Sequence, residues 1–245
     1  MGPIALLGGS GLDRWGEPAA SRRPETPYGA PSGPVERFSV ESARELLFLA
    51  RHGPAHDIAP HRVNYRANIQ ALADAGAAAV IAVNAVGSLD PNLPPGSLAL
   101  PDQLIDYTWG RAMSFRDGTD ETLDHVEFAD PFDHEWRARL LRAGEVTGVG
   151  LRDGGCIGVT QGPRLETAAE IRRLARDGCD LVGMTTMPEA ALARERGLPY
   201  VTVAVVANHA AGIGSAPIRM EAILETLAGA MTAVRRLVRT LLEQT

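Results

Sequence analysis

Five predicted strands in this chain end in small or polar residues instead of ordinary turn signals, and this pattern limits the fold more than any other feature. The strands end after Leu7, Ala50, Val83, Gly183 and Ala207. Predicted helices alternate with them, which favours a single α/β domain over residues 1–245, with a sheet covered on both faces. Because strand ends converge at the edge of such a sheet, we expect these residues to build one pocket.

The predicted strand Leu181–Gly183 shows this pattern most fully. A helix is predicted to open at Pro188, since proline suits the first helical turn, with Glu189 near the positive end of the helix dipole. Met184 and Thr185 then lie at the carboxyl end of the strand. The hydroxyl can hold an anion there, and the thioether can pack along an apolar face such as a sugar. An ordinary strand–helix junction with Met184 in the core is the structural alternative.

Two other strand ends carry groups that suit an anion. Residues 8–12 form a glycine loop whose backbone N–H groups can approach an anion closely, and Ser10 adds a hydroxyl. The loop lacks the third glycine of a dinucleotide fingerprint, which indicates a smaller anion. Arg51 and His52 follow another strand and form a plausible anion clamp. A tight strand connection and a surface ion pair are the corresponding structural alternatives.

Composition argues against several classes of function. The net charge of −6 argues against a nucleic-acid partner or an anionic membrane surface. No apolar run approaches the roughly 18 residues that span a bilayer, and no secretory signal pattern precedes the first strand, so a cytoplasmic location is expected. All 24 cationic side chains are arginine, and the absence of lysine excludes Schiff-base chemistry and lysine-dependent phosphate loops.

The cysteines and the histidine cluster give no sign of a metal centre. Cys156 and Cys179 form no Cys-x-x-Cys pair and are predicted to be buried free thiols. His52, His56 and His61 lie in a loop broken by proline and glycine, not on one helix face, and no cysteine or paired carboxylate completes a ligand set. No metal is therefore predicted.

Several motifs, in order along nearly the whole chain, resemble those of the trimeric purine nucleoside phosphorylase superfamily, specifically its methylthioadenosine phosphorylase branch. They lie at residues 8–12, 26–29, 51–53, 63–68, 87–89, 162–164 and 184–189. The resemblance implies a nucleoside phosphorylase fold, with a central mixed β-sheet flanked by helices. It also implies a nucleoside and inorganic phosphate as the two substrates, no further cofactor and a homotrimer.

The same resemblance assigns the site residues. The expected phosphate ligands are Ser10, Arg51, His52, Asn84, Ala85 and Thr185. The expected ribose contact is Met184, and the base-binding loop falls on Asn208, His209 and Ala210. His125 corresponds to a histidine that a neighbouring subunit lends to the 5′ end of the substrate. Met220 or Ile223 could supply an apolar wall near that end.

Three positions depart from the adenosine-cleaving pattern. That branch has aspartates in the base loop, where this chain has Asn208 and Ala210. Glu166 resembles the glutamate of inosine- and guanosine-cleaving relatives. It can accept the N1 hydrogen of a 6-oxopurine, whereas adenine presents a lone pair there, and a buried unpaired group costs about 1–3 kcal/mol. The structural alternative is that Glu166 caps the helix predicted to start at Thr167.

The residues and the resemblance together predict phosphorolysis of a 6-oxopurine nucleoside. 5′-Methylthioinosine is the expected substrate, and Asn208 is the expected catalytic group, which stabilises the leaving purine. Inosine or guanosine, and then methylthioadenosine, are the alternatives. A nucleoside hydrolase usually needs a carboxylate-bound cation, and no aspartate cluster follows the first strand. A non-catalytic purine sensor would have no need of a phosphate clamp.

Overall fold

Two long parallel strands, β5 (Ala79–Ser88) and β11 (Tyr200–His209), form the centre of the fold. The structure is a computed structural model that describes residues 2–39, 43–116, 118, 125–214 and 217–244. Their register runs from Val80 opposite Tyr200 to Ser88 opposite His209. Both are rich in valine and alanine and almost entirely buried, as expected of strands covered on both faces.

The sheet is mixed and branches at β5. On one side β5 pairs in parallel with β1 (Ile4–Gly8), which continues to β4 (Leu46–Ala50), β3 (Val35–Phe38) and β2 (Ala20–Arg22). The carboxyl end of β5 pairs antiparallel with β10 (Leu181–Gly183), which continues to β9 (Cys156–Val159) and β7 (Gln103–Asp106). Strand β11 also pairs with β6 (Leu98–Leu100), and β6 pairs with β8 (Leu151–Asp153). The expected α/β class with a central mixed sheet is confirmed.

Five helices cover the two faces of the sheet in the described part of the chain. They are α1 (Tyr65–Asp74), α2 (His134–Thr147), α3 (Ala168–Arg176), α4 (Thr186–Glu195) and α5 (Met220–Glu243). Alternate residues of β1 face opposite layers: Ile4 and Leu6 pack in the core cluster that contains residues of α2 and α5, whereas Ala5 and Leu7 pack in the cluster that contains residues of α1 and α4.

Residues 98–105 divide into β6 and β7, because Pro101 between them has no backbone N–H for a ladder. Two element boundaries differ from the sequence predictions. The strand predicted over 200–207 extends to His209. Helix α4 begins at Thr186, before Pro188, but Met187 has extended backbone angles (φ −108°, ψ 135°) that interrupt it. None of the described helices is both long enough and apolar enough to cross a membrane.

Candidate active site

A cavity of about 530 Å³ lies at the carboxyl ends of the central strands. It is lined by residues that follow β1, β4 and β10 and by residues at the ends of β5 and β11. The five strand ends therefore meet in space. The predicted site residues on its wall are Ser10, Arg51, His52, Ala85, Glu166, Met184, Thr185, Asn208, Ala210 and Met220.

Three predicted site residues do not line the cavity. Asn84 is almost completely buried behind the wall, where it contacts Arg51 and Thr185. His209 is half-buried, and its Nδ1 has no hydrogen-bond partner among the described residues. His125 is exposed and lies away from the cavity of its own chain.

Arg51 lies fully buried beneath the glycine loop. Its Nε and Nη2 donate to the two oxygens of the Glu189 carboxylate at 2.5 and 3.0 Å, and Nη2 also donates to Asn84 Oδ1 at 3.0 Å. Nη1 donates to the Val83 carbonyl at 3.0 Å. A Cβ atom at Gly9 would lie 2.7 Å from Nη1, so the loop can close over the guanidinium only with glycine there. One N–H of Nη1 is left for a ligand in the cavity.

The buried acid Glu189 holds this arginine in place. Burial alone would lower the pKa of Arg51, but the Glu189 carboxylate outweighs that effect and raises it, so the guanidinium keeps its charge. The hydroxyl of Tyr200 donates to Glu189 Oε2 at 2.9 Å, and burial, together with the carboxylate, raises the pKa of Tyr200 well above its ordinary value. The sequence prediction placed Glu189 only near a helix dipole. Its contact with Arg51 spans 138 positions of the chain, which no local pattern reveals.

His52 presents a neutral ring to the same region. Its Nδ1 donates to the Ile58 carbonyl at 2.7 Å, which leaves Nε2 as a hydrogen-bond acceptor. Burial, followed by the charge of Arg51, lowers the pKa of His52 to about 4. At neutral pH this side chain therefore accepts a hydrogen bond and adds no charge.

His56 and Asp13 are site neighbours that the sequence predictions did not include. His56 lines the cavity, and its ring centroid lies 5.0 Å from that of His52. Its Nδ1 donates to Asp13 Oδ1 at 2.7 Å, and its Nε2 lies 3.4 Å from Ser10 Oγ. The pair therefore stands where it can orient the Ser10 hydroxyl. Asp13 directly follows the glycine-loop motif, which was the available signal.

Thr185 offers a hydroxyl hydrogen to the cavity. Asn84 Nδ2 donates to Thr185 Oγ1 at 3.2 Å and to Thr186 Oγ1 at 2.9 Å. Since the Thr185 oxygen already accepts a hydrogen bond, and its side chain makes no cap bond to α4, its own O–H remains available as a donor. Asn84 thus orients both Arg51 and Thr185 from behind the wall.

Glu166 has one carboxylate oxygen engaged and one available. Thr160 Oγ1 donates to Glu166 Oε1 at 2.6 Å. Helix α3 is capped by Thr167 and Glu170, which form a reciprocal capping box. The alternative that Glu166 caps this helix is therefore wrong, and Glu166 Oε2 is left for a ligand.

A bulge in β11 places Asn208 on the cavity wall. The pairing of β11 with β5 shifts between Val206 and Asn208, and such a bulge re-aims the side chain that follows it. Asn208 Nδ2 donates to the His209 carbonyl at 2.7 Å. One amide N–H and the amide oxygen remain, so Asn208 can both donate to and accept from a ligand.

Arg111 ties together the two segments that carry these groups. Its Nη1 donates to the carbonyls of Met184 and Met187 at 2.8 and 2.6 Å, on the segment that follows β10. Its Nη2 donates to the carbonyls of Thr160 and Gln161 at 3.3 and 2.9 Å, on the segment that follows β9. Arg111 lies in an irregular stretch that gave no sequence signal, and the predictions missed it.

Gly162 makes room for the predicted ribose contact. A Cβ atom there would lie 2.6 Å from Met184 Sδ, and the backbone has a positive φ of 61°. Glycine therefore permits both the turn and the position of the thioether. This finding rules out the alternative that Met184 is a core residue, because its side chain lines the cavity instead.

One wall of the cavity is entirely apolar. It is formed by Ile218 and by side chains at the start of α5, namely Met220, Ile223, Leu224 and Leu227. Ile223 and Leu227 continue into the core, whereas Met220 and Leu224 are largely exposed. The wall can therefore contact an apolar group of a ligand at the mouth of the cavity.

Comparison with known proteins identifies the class. Residues 3–243 match the family described as the phosphorylase superfamily, and the chain belongs to this family. The chain is 49% identical over 238 residues to a probable S-methyl-5′-thioinosine phosphorylase of Xanthomonas campestris, covering 96% of this chain and 95% of that protein.

More distant relatives carry related names. A 6-oxopurine nucleoside phosphorylase of Pyrococcus furiosus is 42% identical, with 93% of this chain and 87% of that protein covered. Among solved structures, methylthioadenosine phosphorylase from Schistosoma mansoni in complex with adenine has a TM-score of 0.94 and 30% identity, covering 100% of this chain and 92% of that chain. The resemblance to the purine nucleoside phosphorylases is therefore confirmed.

Proposed function

We propose that this protein is a pentosyltransferase that converts S-methyl-5′-thioinosine and phosphate to hypoxanthine and 5-methylthioribose 1-phosphate, in purine salvage. A phosphate oxygen forms a bond to C1′ as the C1′–N9 bond breaks, the bonding electrons pass to the purine, and the purine gains at N7 the equivalent of the proton that the phosphate loses. The single observation that carries the proposal is that the available oxygen of Glu166 and the amide of Asn208 share one cavity with Arg51 and Thr185.

The phosphate half of the site would act by electrostatics and position. Phosphate would receive hydrogen bonds from the remaining N–H of Arg51 and from the hydroxyl of Thr185. The Ser10 hydroxyl, which lies 3.4 Å from His56 Nε2, would turn from that nitrogen to donate to phosphate when phosphate binds. The neutral His52 ring offers only an acceptor, which suits a phosphate that still carries an O–H. Backbone N–H groups of the glycine loop and near Ala85 complete the proposed cradle. Donors fixed before the reaction need no reorganisation as charge moves, and this chemistry requires no cofactor or metal.

The base half would select a 6-oxopurine. Glu166 Oε2 would accept the N1 hydrogen of hypoxanthine. The remaining N–H of Asn208 would donate to O6, and its amide oxygen would accept a hydrogen from protonated N7. Asn208 would then stabilise the leaving base as it gains electrons, which makes it the proposed catalytic residue. Ala210 and Met184 would contact the base and the ribose from the same wall.

The apolar wall at the start of α5 favours a methylthio group at the 5′ position. Met220, Ile223 and Leu224 offer a 5′-hydroxyl no hydrogen-bond partner, so contact with them costs the hydroxyl part of its hydration and returns no hydrogen bond. A methylthio group loses nothing there and buries apolar surface. Inosine and guanosine are therefore proposed as poorer substrates, although the relative from Pyrococcus furiosus is named for 6-oxopurine nucleosides generally.

The proposal includes a homotrimer in the cytoplasm, with residues 1–245 acting as one phosphorylase domain. His125 is exposed in its own chain, which suits a residue lent to the 5′ end of a substrate in a neighbouring subunit. The exposed side chains of Trp109, Met113 and Val126 supply apolar surface in the same irregular stretch. Light scattering on the purified protein tests the trimer, and loss of methylthioinosine affinity in a His125→Ala variant tests the shared residue.

A substrate panel tests the activity. Methylthioinosine, methylthioadenosine, inosine, guanosine and adenosine are each incubated with the protein, with and without phosphate. We expect base release only with phosphate, fastest from methylthioinosine. Release without phosphate would indicate a hydrolase, and nucleoside binding with no product would indicate a sensor. Equal rates for methylthioinosine and methylthioadenosine would refute the role given to Glu166.

A further inference from the structure

The two cysteines meet on one face of the sheet, outside the cavity described above. Strands β9 and β10 pair in parallel with Ile157 opposite Leu181. Asp180 extends this pairing: its backbone N–H donates to the Cys156 carbonyl at 2.9 Å, and its Oδ2 accepts from the Cys156 N–H at 2.8 Å. Cys179 precedes Asp180 and so lies diagonally beside Cys156. The two thiols lie close enough to hydrogen-bond to each other.

Gly158 lets the Cys179 thiol lie against β9. Cys156 and Gly158 point to the same face, because side chains alternate along a strand. A Cβ atom at Gly158 would lie 3.0 Å from Cys179 Sγ. The Cys179 sulfur therefore occupies the space left by this glycine, next to the side chain of Cys156. Both cysteines belong to one small apolar cluster with Leu174.

The two thiols differ in chemical character. Hydrogen bonding from Cys156 lowers the pKa of Cys179 despite its burial. The same contact with Cys179 raises the pKa of Cys156. Cys179 is thus the better nucleophile of the two, and Cys156 lies beside it as a resolving thiol.

A small oxidant has a route to this pair. Cys179 is buried, but Cys156 is only half-buried, contrary to the prediction of two buried thiols. The partial exposure of Cys156 therefore lets a molecule of the size of a peroxide reach the pair from solvent.

We propose that Cys156 and Cys179 are a redox modification site that forms a disulfide when the protein meets hydrogen peroxide. The Cys179 sulfur attacks one peroxide oxygen, the O–O bond breaks, and the other oxygen leaves as water after taking a proton. The Cys156 sulfur then attacks the sulfenic sulfur and displaces its oxygen as a second water. Two thiols are oxidised, and one peroxide is reduced to two waters.

The disulfide ties both ends of the segment that carries Gly162 and Glu166. That segment leaves β9 and returns through α3 to the start of β10. A covalent link across its base restricts the unfolded chain, so the oxidised protein should melt at a higher temperature than the reduced protein. The proposal stands independently of the substrate, because its test needs no activity.

Intact mass measured under non-reducing conditions tests the site. After peroxide treatment of the purified protein, we expect a mass about 2 Da lower and loss of both free thiols, reversed by a dithiol reductant. Because every cationic residue is arginine, trypsin should release residues 153–164 linked to residues 177–194. A Cys156→Ser variant should instead gain about 16 Da or more at Cys179, and a Cys179→Ser variant should react more slowly.

The contrary results are equally distinct. Two free thiols that persist in the wild-type protein, or sulfinic acids at both cysteines without a link between the peptides, would overturn the proposal. A disulfide that joins two chains would do the same. These readings come from the wild-type protein, so they hold even if a serine variant folds poorly.

Discussion

Replacing Glu166 by glutamine exchanges one oxygen for an NH₂ group and tests base recognition directly. Glu166 Oε1 already accepts the Thr160 hydroxyl at 2.6 Å, which leaves Oε2 for the N1 hydrogen of the base. In the variant, either the new NH₂ group faces the N1 hydrogen, donor against donor, or the Thr160 hydroxyl must turn to accept from it. Either arrangement loses a charge-assisted hydrogen bond of about 1.5–3 kcal/mol. We therefore expect kcat/KM for methylthioinosine to fall about 10- to 150-fold.

Methylthioadenosine should respond in the opposite direction to the same change. Its N1 is a lone pair, to which the glutamine NH₂ group can donate, so its kcat/KM should hold or rise. The assay is the ratio of kcat/KM for the two nucleosides at saturating phosphate. Glu170→Gln is the matched control, because Glu170 caps α3 and pairs with Arg164 on the surface. An unchanged ratio in a folded Glu166→Gln protein would refute the reasoning.

Three further perturbations test the rest of the site. Glu189→Gln leaves the buried Arg51 without its carboxylate, so urea unfolding should show a free energy of unfolding about 3–5 kcal/mol lower, and the KM for phosphate should rise. Glu45→Gln, the control at an exposed ion pair, should lower it by about 1 kcal/mol or less. The pKa of His52 is lowered from 6.5 to about 4, so below pH 6.5 the unfolded chain binds a proton that the folded protein does not. The free energy of unfolding should therefore fall by up to about 3 kcal/mol as the pH drops from 6.5 towards 4. His52→Asn should remove this part of the pH dependence. Gly162→Ala places a methyl group 2.6 Å from Met184 Sδ at a positive φ, so nucleoside KM should rise while phosphate KM holds; equal effects on both would contradict a role for Met184 at the ribose.

The sequence was sufficient to predict those parts of the fold that depend on local pattern. Apolar runs ending in small or polar residues located the central strands, because burial on both faces demands such runs. The helix predicted from Thr167 begins there because Thr167 and Glu170 cap it reciprocally, and both lie within one turn of chain. The cavity followed from topology, since the ends of strands in one sheet must be neighbours in space.

Contacts between distant segments were beyond a reading of the sequence. The bulge that re-aims Asn208 depends on the register between β11 and β5, and no residue type in either strand predicts it. The pairing of Glu189 with Arg51 depends on the carboxyl ends of β4 and β10 converging, although β1 and β5 lie between these strands in the sheet, so the sequence placed Glu189 only near a helix dipole. His209 was included with its neighbours because residues in a loop are hard to separate, but in the structure it belongs to a strand and does not reach the cavity wall.

Arg111 shows why the two halves of the site should act as a unit. The groups proposed for phosphate and ribose follow β10, and the acid proposed for the base follows β9, so each half has its own segment of chain. One guanidinium donates to backbone carbonyls of both segments, with acceptors on each at 2.6–3.3 Å. Backbone carbonyls leave the positive charge of Arg111 uncompensated by a carboxylate at these contacts, so the charge also adds to the positive potential beside the proposed anion site. Lysine could satisfy only three acceptors and could not span both segments with a planar fork. Loss of Arg111 is therefore expected to misalign the two halves of the site, and not to weaken the binding of one substrate alone.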